Sequence, residues 1–236
     1  MFSLGRLVLT LVLVGLGPLC SASPASAAVG EGQRVVQLQK KYQQLRSLEF
    51  DFSQSTRTGG RVKQGTGNAV FYRTAGVPAG TGPGIMRWNY TAPTVQTIIN
   101  DGKNLSIYTP QDKQLIVSPA QDMESDITYA IFTGTKNLLD EFVAAPADAL
   151  FLLNDPPTGL EALLLTPRHP HPQVKRVQLW LNGDLTIHRL LMEDHFGALT
   201  ELTFTRVRLN TLPQGEAPVQ ELLKLDLAPG TETIRQ

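Results

Sequence analysis

The spacing of apolar residues changes along the chain, and each spacing predicts a different element. Apolar side chains recur three and four residues apart from Val35 to Leu45, which predicts an amphipathic helix over residues 33–46. From Leu48 to Phe52 they alternate with polar residues, which is the pattern of a half-buried β-strand. The fold is therefore predicted to begin with a helix followed by a strand.

Three more strand-like segments follow between residues 65 and 110, and all are rich in aromatic and aliphatic side chains. Within the third, Asp101-Gly102 predicts a two-residue hairpin turn with positive φ at both central positions. Gly65-Thr66-Gly67 and Gly80-Thr81-Gly82 are expected to be turns, because the first runs into a strand and not into the helix N-terminus of a phosphate-binding loop. Residues 77–84, rich in glycine and proline, are expected to form a flexible loop.

Strand patterns return in the C-terminal half of the chain. Asn182-Gly183 predicts a second two-residue hairpin turn. In total about ten to eleven strands are predicted, and their short connections indicate an antiparallel arrangement throughout. The later predicted strands cover residues 115–118, 160–166, 175–181, 186–192, 199–207 and 222–227, followed by a polar tail at 229–236.

A helical patch interrupts the strands near the middle of the chain. Apolar residues share a face on each of two short segments, which the polar turn at 133–135 separates. Asn137 is suited to cap the second segment, and acidic residues follow in its first turn. The apolar residues assigned to these two helices are Ile127, Ala130, Ile131, Leu138 and Phe142.

Together these elements predict a mainly β (α+β) protein with an incomplete, strongly curved antiparallel β-barrel. A sheet of about ten to eleven strands tends to curl or to close. The helices are too few to form a separate layer, so they are expected to form a lid across the open end or against the concave face. No internal repeat or linker indicates a second domain, and residues 28–236 are expected to form a single domain.

The first 27 residues have the composition of a secretory signal peptide. Arg6 precedes an apolar run at 7–19, which is too short to span a bilayer comfortably, and small residues lead to Ala25-Ser26-Ala27. Cleavage after Ala27 is expected. Cys20 raises the alternative of an acylated cysteine, but Gly17-Pro18-Leu19 lacks the small residue expected directly before such a cysteine.

Composition and motifs argue against several classes of function. The chain has 21 basic and 21 acidic residues and no basic run, so nucleic acid is not expected as a partner. Loss of the signal peptide removes the one cysteine, so the exported protein depends on its apolar core. The sequence contains no nucleophile elbow, zinc-binding helix or phosphate loop. No enzyme activity, catalytic residue, metal or cofactor is expected.

The four histidines are expected to be structural or solvated. His169 and His171 lie in a proline-rich loop without the cysteines or carboxylates that would complete a metal site. His188 and His195 are isolated on predicted strand segments.

The apolar wall between residues 65 and 110 leaves two interpretations open. On strand alternation, Phe71 shares a face with Arg73, and Met86 shares a face with Trp88. One interpretation is a barrel core filled by its own side chains. The other is a container, because aromatic and methionine side chains are large and adaptable and suit an irregular apolar ligand. Arg73 is costly to bury without partners, and backbone carbonyls at helix ends can supply them, so Arg73 is the predicted latch of the lid.

Several motifs follow one another in order along nearly the whole exported chain. They are Phe50-Asp51-Phe52-Ser53-Gln54, Gly65-Thr66-Gly67 with a strand ending in Arg73, Trp88 to Pro93, Asp101 to Pro110, Leu165 to Arg168, Val174 to Arg176, Asp184 to His188, and Leu227 to Thr231. In this order and spacing they resemble the LolA family, the periplasmic carriers of outer-membrane lipoproteins in Gram-negative bacteria.

The resemblance implies helices that form a lid over an apolar cavity. In the family this cavity receives the acyl chains of lipoproteins from an inner-membrane ABC transporter and passes them to an outer-membrane receptor. The resemblance places the lid-binding arginine on Arg73 and the cavity aromatics on Met86 and Trp88, and it implies a monomer in the periplasm. The residues expected to line the cavity are Phe50, Phe52, Phe71, Met86, Trp88, Tyr90, Leu105, Ile107 and Leu179.

The sequence departs from the family pattern beside the predicted latch. Thr74 follows Arg73 where proline is common, the loop at 77–84 intervenes, and Met86 stands where an aromatic is common. Two alternatives to a carrier are an envelope sensor of lipid or lipoprotein and a general lipid-binding half-barrel protein. An exported enzyme is a third alternative, and it requires a cluster of convergent polar groups within the cavity.

Overall fold

The fold is built on one large sheet, seen in a computed structural model that describes residues 24–74, 84–123 and 126–236. Twelve strands lie in these ranges. They are β1 (Ser47–Thr58), β2 (Arg61–Tyr72), β3 (Ile85–Ala92), β4 (Gln96–Asn100), β5 (Asn104–Thr109), β6 (Gln114–Pro119), β7 (Phe142–Pro146), β8 (Glu161–Pro167), β9 (Arg176–Leu181), β10 (Ile187–Glu193), β11 (Leu199–Leu209) and β12 (Glu232–Arg235).

The strands form a curved sheet that does not close into a barrel. Their order is β12-β6-β5-β4-β3-β2-β1-β11-β10-β9-β8-β7, so β12 and β7 are the two edges. The predicted class, a mainly β protein with an incomplete barrel, is confirmed.

Four α-helices accompany the sheet in the described ranges: α1 (Pro24–Gln44), α2 (Ile127–Thr133), α3 (Leu138–Glu141) and α4 (Glu216–Leu223). Short 3₁₀ turns occur at Pro110–Asp112 and Ala120–Met123. Residues 1–23 of the predicted signal peptide lie outside the described residues, as does most of the predicted loop at 77–84. Cleavage after Ala27 stays a prediction.

A row of directly paired residues across the concave face shows how the core is built. Leu163, Leu179, Leu190 and Leu202 face one another across β8 to β11, and each is at most 4% exposed. The same row continues across β1 and β2 as Gln54 and Gly65. This row of leucines therefore ends where the sheet reaches β1.

Helix α1 covers the leucine side of the concave face. Its apolar residues Val35, Leu38 and Tyr42 are at most 1% exposed. The Tyr42 hydroxyl accepts a hydrogen bond from the Ile187 N–H at 2.9 Å, and burial raises the pKa of Tyr42 above its ordinary value. Lys41 Nζ donates to the Thr186 hydroxyl at 2.7 Å. These contacts attach α1 to β10 and to the turn before it.

Helix α4 lies on the opposite, convex face. Leu222 of α4 packs with Tyr72 and Ile85, which alternate with the concave residues of β2 and β3. Arg87 Nη1 donates to the carbonyl oxygens of Leu222 at 3.1 Å and Lys224 at 2.6 Å, at the C-terminal end of α4. The C-terminal segment is therefore attached to the outside of the sheet.

Both predicted two-residue hairpin turns are wrong in detail. Residues 101–103 connect β4 to β5, and the last pair before the turn is Asn100 with Leu105. Gly102 has a φ of 90°, whereas Asp101 has no positive φ. Asp101 Oδ1 accepts from the N–H groups of Lys103 and Asn104, and this side-chain capture of the backbone favours a longer loop. After Leu181 the chain also makes a longer turn, in which Leu185 and not Gly183 takes positive φ.

The predictions for the C-terminus and for Phe142 are also wrong. Residues 222–227 do not form a strand, because Val219 and Leu222 put their apolar side chains at helical spacing against the convex face. The polar tail contains β12, which pairs in parallel with β6 through backbone groups and needs no apolar side chain, so the prediction of an antiparallel arrangement throughout is wrong at this edge. Phe142 is the C-cap of the four-residue helix α3 and the first residue of β7, so it packs below the lid and not within it.

The glycines of Gly65-Thr66-Gly67 lie within β2 and not in a turn. A Cβ on Gly67 would overlap the Asn89 carbonyl oxygen and would lie 2.8 Å from the Phe52 ring. A Cβ on Gly65 would lie 3.3 Å from the Tyr90 ring. The two glycines therefore leave room for aromatic rings to lie across the strand.

Candidate functional site

Arg73 joins strand β2 to the ends of two helices. It directly follows the last residue of β2, and its N–H donates to the Arg46 carbonyl at 2.8 Å. Its Nη1 donates to the carbonyl oxygens of Gln43 at 2.5 Å and Leu45 at 2.9 Å, at the C-terminal end of α1. Its Nη2 donates to the carbonyl of Thr133, the last residue of α2, at 2.9 Å. One side chain therefore fixes both helices to the sheet.

The partners of Arg73 are backbone dipoles. Arg73 is 8% exposed, and it forms no ion pair with any residue in the described ranges. The C-terminal end of a helix carries partial negative charge, and here two such ends converge on one guanidinium. Burial, with a smaller effect of Arg46, lowers the pKa of Arg73, although arginine stays charged at any physiological pH. Because the partners are uncharged carbonyl groups, movement of the helices away from Arg73 does not leave an unpaired carboxylate buried.

Helix α2 is capped at both ends. The Asp126 carboxylate accepts from the Tyr129 N–H at 2.8 Å, and burial raises the pKa of Asp126. At the other end Gly134 adopts a φ of 62°. A Cβ on Gly134 would lie 2.6 Å from Gln43 Cγ, and Gln43 Nε2 donates to the Gly134 carbonyl at 3.0 Å. Helices α1 and α2 therefore meet closely beside Arg73.

Phe132 attaches α2 to the concave face through an aromatic cluster. Its ring centroid lies 5.1 Å from that of Phe50, 5.4 Å from Phe71, 5.2 Å from Phe204 and 5.7 Å from Tyr42. The rings are tilted or edge-on, the arrangements that aromatic quadrupoles favour. The lid is therefore held by ring packing as well as by Arg73.

A cavity of about 270 Å³ lies beside this cluster, between the N-terminal half of α2 and the concave face. The Tyr90 hydroxyl donates to Gln54 Oε1 at 2.8 Å, so these two polar groups in the wall satisfy each other. Aromatic rings and three methionines make much of the remaining surface, which suits an apolar ligand of irregular shape. The lining residues are Gln54, Phe71, Met86, Trp88, Tyr90, Ile98, Met123, Asp126, Thr128, Tyr129, Met192, Thr200 and Leu202.

Four of the residues predicted to line a cavity lie around this one: Phe71, Met86, Trp88 and Tyr90. Phe50 and Phe52 are buried in the layer behind it. The Phe50 ring centroid lies 5.6 Å from that of Trp88, and the Phe52 centroid lies 4.5 Å from it. These two rings support the wall without lining the cavity.

The other three predicted lining residues lie elsewhere. Leu105 and Ile107 share the concave face, since Ile107 pairs with the lining residue Ile98, but the cavity does not extend to them. Leu179 is fully buried in the leucine row on the side that α1 covers. Strand alternation gives the face of a residue but not the extent of a cavity along the sheet.

The remaining predicted lid residues are buried on the helices. Ile127, Ala130 and Ile131 belong to α2 and are at most 3% exposed, and Leu138 of α3 is 2% exposed. Gln39 Oε1 accepts from the Leu138 N–H at 2.9 Å, so α1 also holds α3 in place.

Sequence reasoning missed several lining residues. Met192 and Leu190 lie two residues apart in a predicted strand, so alternation places both on the same face. Met192 pairs with the lining residue Thr200. Gln54 ends the Phe50–Gln54 motif on the same face as Phe52. Met123 lies in a 3₁₀ turn without periodic context, and no local pattern pointed to it.

The histidines lie outside the cavity. His171 Nδ1 accepts from the N–H groups of Gln173 and Val174 and so shapes the loop between β8 and β9. His195 lies in the turn after β10 and not on a strand, with Nε2 at 2.6 Å from the His171 carbonyl oxygen. His188 lies on β10. The described ranges contain no group of three or more side chains able to hold a metal ion, and none of the helices in them is long and apolar enough to cross a membrane.

An open, curved and mainly antiparallel sheet with helices held over an apolar cavity defines a class of proteins with lidded half-barrels. The family profile described as "Outer membrane lipoprotein carrier protein LolA" matches residues 43–216. The chain belongs to the LolA family.

Curated relatives agree with this assignment, and a solved structure shares the fold. The outer-membrane lipoprotein carrier protein of Dechloromonas aromatica (strain RCB) is 26% identical over 179 residues, which is 75% of this chain and 77% of the relative. That of Bordetella avium (strain 197N) is 29% identical over 203 residues, which is 84% and 87%. An uncharacterized conserved protein from Thermus thermophilus is 12% identical, covers 86% of this chain and 98% of its own, and has a TM-score of 0.52. This last likeness concerns the fold alone.

Proposed function

We propose that this protein is a periplasmic carrier that holds the acyl chains of lipoproteins in the cavity beneath α2. An inner-membrane ABC transporter loads it, and an outer-membrane receptor accepts the cargo. The observation that carries the proposal is Arg73, a buried cation that ties α1 and α2 to the sheet beside an apolar cavity. Membership of the LolA family and the names of the curated relatives support the class of cargo.

The chemistry of an acyl chain explains why a container is needed. Burial of one methylene is worth about 0.8 kcal/mol, so exposure of a chain of about sixteen carbons costs on the order of 10 kcal/mol. The cavity of about 270 Å³ is smaller than the roughly 300–1,000 Å³ of typical ligand pockets. The arrangement with α2 held by Arg73 is therefore the unloaded state, and loading moves α2 away from the sheet.

The contacts of Arg73 make such a movement reversible. Hydrogen bonds to a charged group contribute roughly 1.5–3 kcal/mol each, and the burial of the guanidinium offsets part of this. When the lid opens, water replaces the three carbonyl partners of Arg73. The carrier then opens and closes without an energy source of its own.

Release of lipoproteins from spheroplasts tests the proposed function. The purified protein without residues 1–27 is incubated with spheroplasts, and acylated lipoprotein is measured in the soluble fraction. Release comparable to that by a known carrier is expected. If the known carrier releases lipoprotein and this protein does not, the proposal is wrong.

Arg73→Leu tests the latch, and Arg87→Leu is its matched control. Both arginines donate to carbonyl oxygens at the C-terminal end of a helix, but Arg87 does so on the convex face, away from the cavity. Arg73→Leu is expected to fold, as followed by circular dichroism, and to change lipoprotein retention and transfer to the receptor in vitro. Arg87→Leu is expected to transfer like the unchanged protein. Unchanged transfer by Arg73→Leu removes Arg73 from the mechanism.

A further inference from the structure

Two large apolar side chains protrude from the described part of the molecule. Phe196, in the turn between β10 and β11, is 95% exposed, and Leu150, between β7 and β8, is 93% exposed. The next most exposed large apolar residues in the described ranges are Val36 and Val62, both at 52%. Exposure of a Phe and a Leu side chain to water is unfavourable, so the structure around them can indicate whether they serve to bind a partner.

The backbone at each of these side chains is ordered in the same way. Asp148 Oδ1 accepts from the Leu150 N–H at 2.9 Å, and Asp194 Oδ1 accepts from the Phe196 N–H at 2.8 Å. Asp194 Oδ1 also accepts from the Ala198 N–H at 2.8 Å and so closes the turn. An aspartate that captures the N–H two residues later is a defined turn, so both apolar side chains project from ordered backbone.

Arg176 joins the two segments. Its Nη1 lies 2.8 Å from Asp148 Oδ2, and its Nε lies 2.5 Å from Oε2 of Glu193, the last residue of β10. Its guanidinium carbon also lies 3.8 Å from the centroid of the Phe151 ring. One guanidinium therefore bridges the segment that carries Leu150 and the hairpin that carries Phe196, at the same end of the sheet.

This end of the sheet is close to the cavity. Met192 and Thr200, which line the cavity and pair with each other, are each four residues from Phe196 along the hairpin. The adjacent loop between β8 and β9 carries the exposed residues Arg168, whose Nε donates to the Leu139 carbonyl at 2.7 Å, and Lys175, whose Nζ lies 2.8 Å from Glu193 Oε1. This loop contacts the turn between β10 and β11, where His195 Nε2 lies 2.6 Å from the His171 carbonyl oxygen. Apolar and basic side chains thus lie at the end of the sheet nearest to Met192 and Thr200 of the cavity wall.

We propose that this end of the sheet docks on a lipid bilayer, with Phe196 and Leu150 inserted at the interface. The proposal rests on the proposed function, because a carrier that meets a transporter and a receptor held in membranes has to bring its cavity close to the bilayer surface. Interfacial binding increases with the apolar area buried and with attraction of basic side chains to anionic lipids.

A protein partner fits these features less well. A stable protein interface buries roughly 800 Å² on each side around a packed apolar centre. The sequence neighbours of the two apolar side chains, among them Ala149, His195 and Gly197, add little apolar area to build such a centre. Two anchoring side chains instead give weak, reversible attachment, which allows a carrier to leave the membrane again.

Co-sedimentation with vesicles tests the docking. The purified chain without residues 1–27 is mixed with vesicles of phosphatidylethanolamine and phosphatidylglycerol (3:1) that contain no lipoprotein, and the bound fraction is measured against lipid concentration. The double variant Leu150→Ser/Phe196→Ser is expected to partition about tenfold more weakly, which corresponds to about 1.4 kcal/mol. The control Val36→Ser/Val62→Ser, with half-exposed valines elsewhere, is expected to stay within about twofold of the unchanged chain, since each of these side chains is already half in water.

A fluorescent label provides a second measurement. The chain after residue 27 has no cysteine, so Phe196→Cys offers a single site for an environment-sensitive dye. A blue shift of the dye at Phe196→Cys on addition of vesicles, and none at Val62→Cys, is expected. No vesicle binding by the unchanged chain, or equal loss in both double variants, overturns the docking.

The outcomes separate this inference from the proposed function. A chain that binds vesicles through Leu150 and Phe196 but releases no lipoprotein from spheroplasts contradicts the carrier function alone. If Leu150→Ser/Phe196→Ser binds vesicles normally but transfers poorly to the receptor, these side chains contact a protein and the membrane docking is wrong.

Discussion

The two sides of the concave face differ in what covers them. On β8 to β11, a row of leucines is fully or almost fully buried, and α1 packs over this side. On β3 to β6, the corresponding row of Trp88, Ile98, Ile107 and Ile116 ranges from buried to half-buried, and the cavity lies at its start. The same alternation of apolar residues therefore produces a core on one side and a container on the other.

The difference shows that the covering element, and not the strand pattern, decides the role of each side. Gln54 and Gly65 interrupt the leucine row at β1 and β2, and there the short helix α2 takes over from the long helix α1. The side on β8 to β11 under α1, here called the closed side, can supply most of the stability. The side on β3 to β6 beside α2, the open side, is then free to exchange its contents.

Removal of a leucine from the closed side should have the largest effect. Leu179→Ala leaves a cavity in a fully packed row, and a loss of roughly 2–5 kcal/mol in the free energy of unfolding is expected, measured by urea denaturation. Ile107→Ala on the open side is the matched control, with an expected loss below about 1 kcal/mol because its side chain is half-buried. Equal losses would mean that both sides are packed alike.

A side chain at Gly67 should disturb the boundary between the two sides. Gly67→Ala forces a Cβ against the Asn89 carbonyl and the Phe52 ring, and a loss of roughly 1–3 kcal/mol or more is expected in thermal or urea unfolding. Gly183→Ala is the control, since a Cβ there has no neighbour within 4 Å, and its effect is expected to stay within about 0.5 kcal/mol. If the two changes have similar effects, the close approach at Gly67 is not required.

The N-cap of α2 tests the covering of the open side. Asp126→Ala removes the cap and is expected to cost about 1 kcal/mol, whereas Asp126→Asn keeps a capping oxygen and is expected to cost much less.

The same residue gives a pH dependence of known sign. Burial raises the pKa of Asp126, so the folded state holds its proton to higher pH than the unfolded state. Its contribution to stability therefore declines as pH rises from about 4, the ordinary value for aspartate, through the raised value. Urea unfolding across pH should show this decline in the unchanged protein and not in Asp126→Asn. An identical pH profile in both would contradict the assignment.

The smallest effect is expected where α1 meets the closed side. The pKa of Asp184 is lowered to about 2, first by the Thr186 hydroxyl and further by Lys41. The resulting stability is present above pH 4 and is lost as pH falls from about 4 to about 2. The Asp184 side chain is 67% exposed, so solvent screening keeps the loss in Asp184→Asn below about 1 kcal/mol. In an NMR titration, Thr186→Ala should return the pKa of Asp184 toward its ordinary value, and an unchanged pKa would contradict this cause.

The sequence predicted best what depends on local periodicity. Alternation placed Met86 and Trp88 on one face, and the same rule holds in the folded sheet because neighbouring strands keep their register. The cap at Asn137 also followed from one residue and its neighbours, and its side chain accepts from the Leu139 N–H.

The wrong predictions concern residues whose position is decided by contacts with distant parts of the chain. Leu179 carries the same pattern as a cavity residue, and only the position of α1 makes it core. Phe142 continues the apolar spacing of a helix, but the chain pairs it with β8 instead. The strand at 232–235 has few apolar residues and forms because β6 offers it free backbone groups.

The pairing of β12 with β6 has a consequence for the solution behaviour of the molecule. An unpaired edge strand exposes N–H and C=O groups that can recruit a strand from another molecule, which is the first step of edge-to-edge aggregation. Here β12 covers β6 and is itself an edge of only four residues, and the other edge, β7, has only five residues and ends at Pro146. A protein that keeps part of its apolar interior accessible thus blunts both places where neighbouring copies would join into fibres.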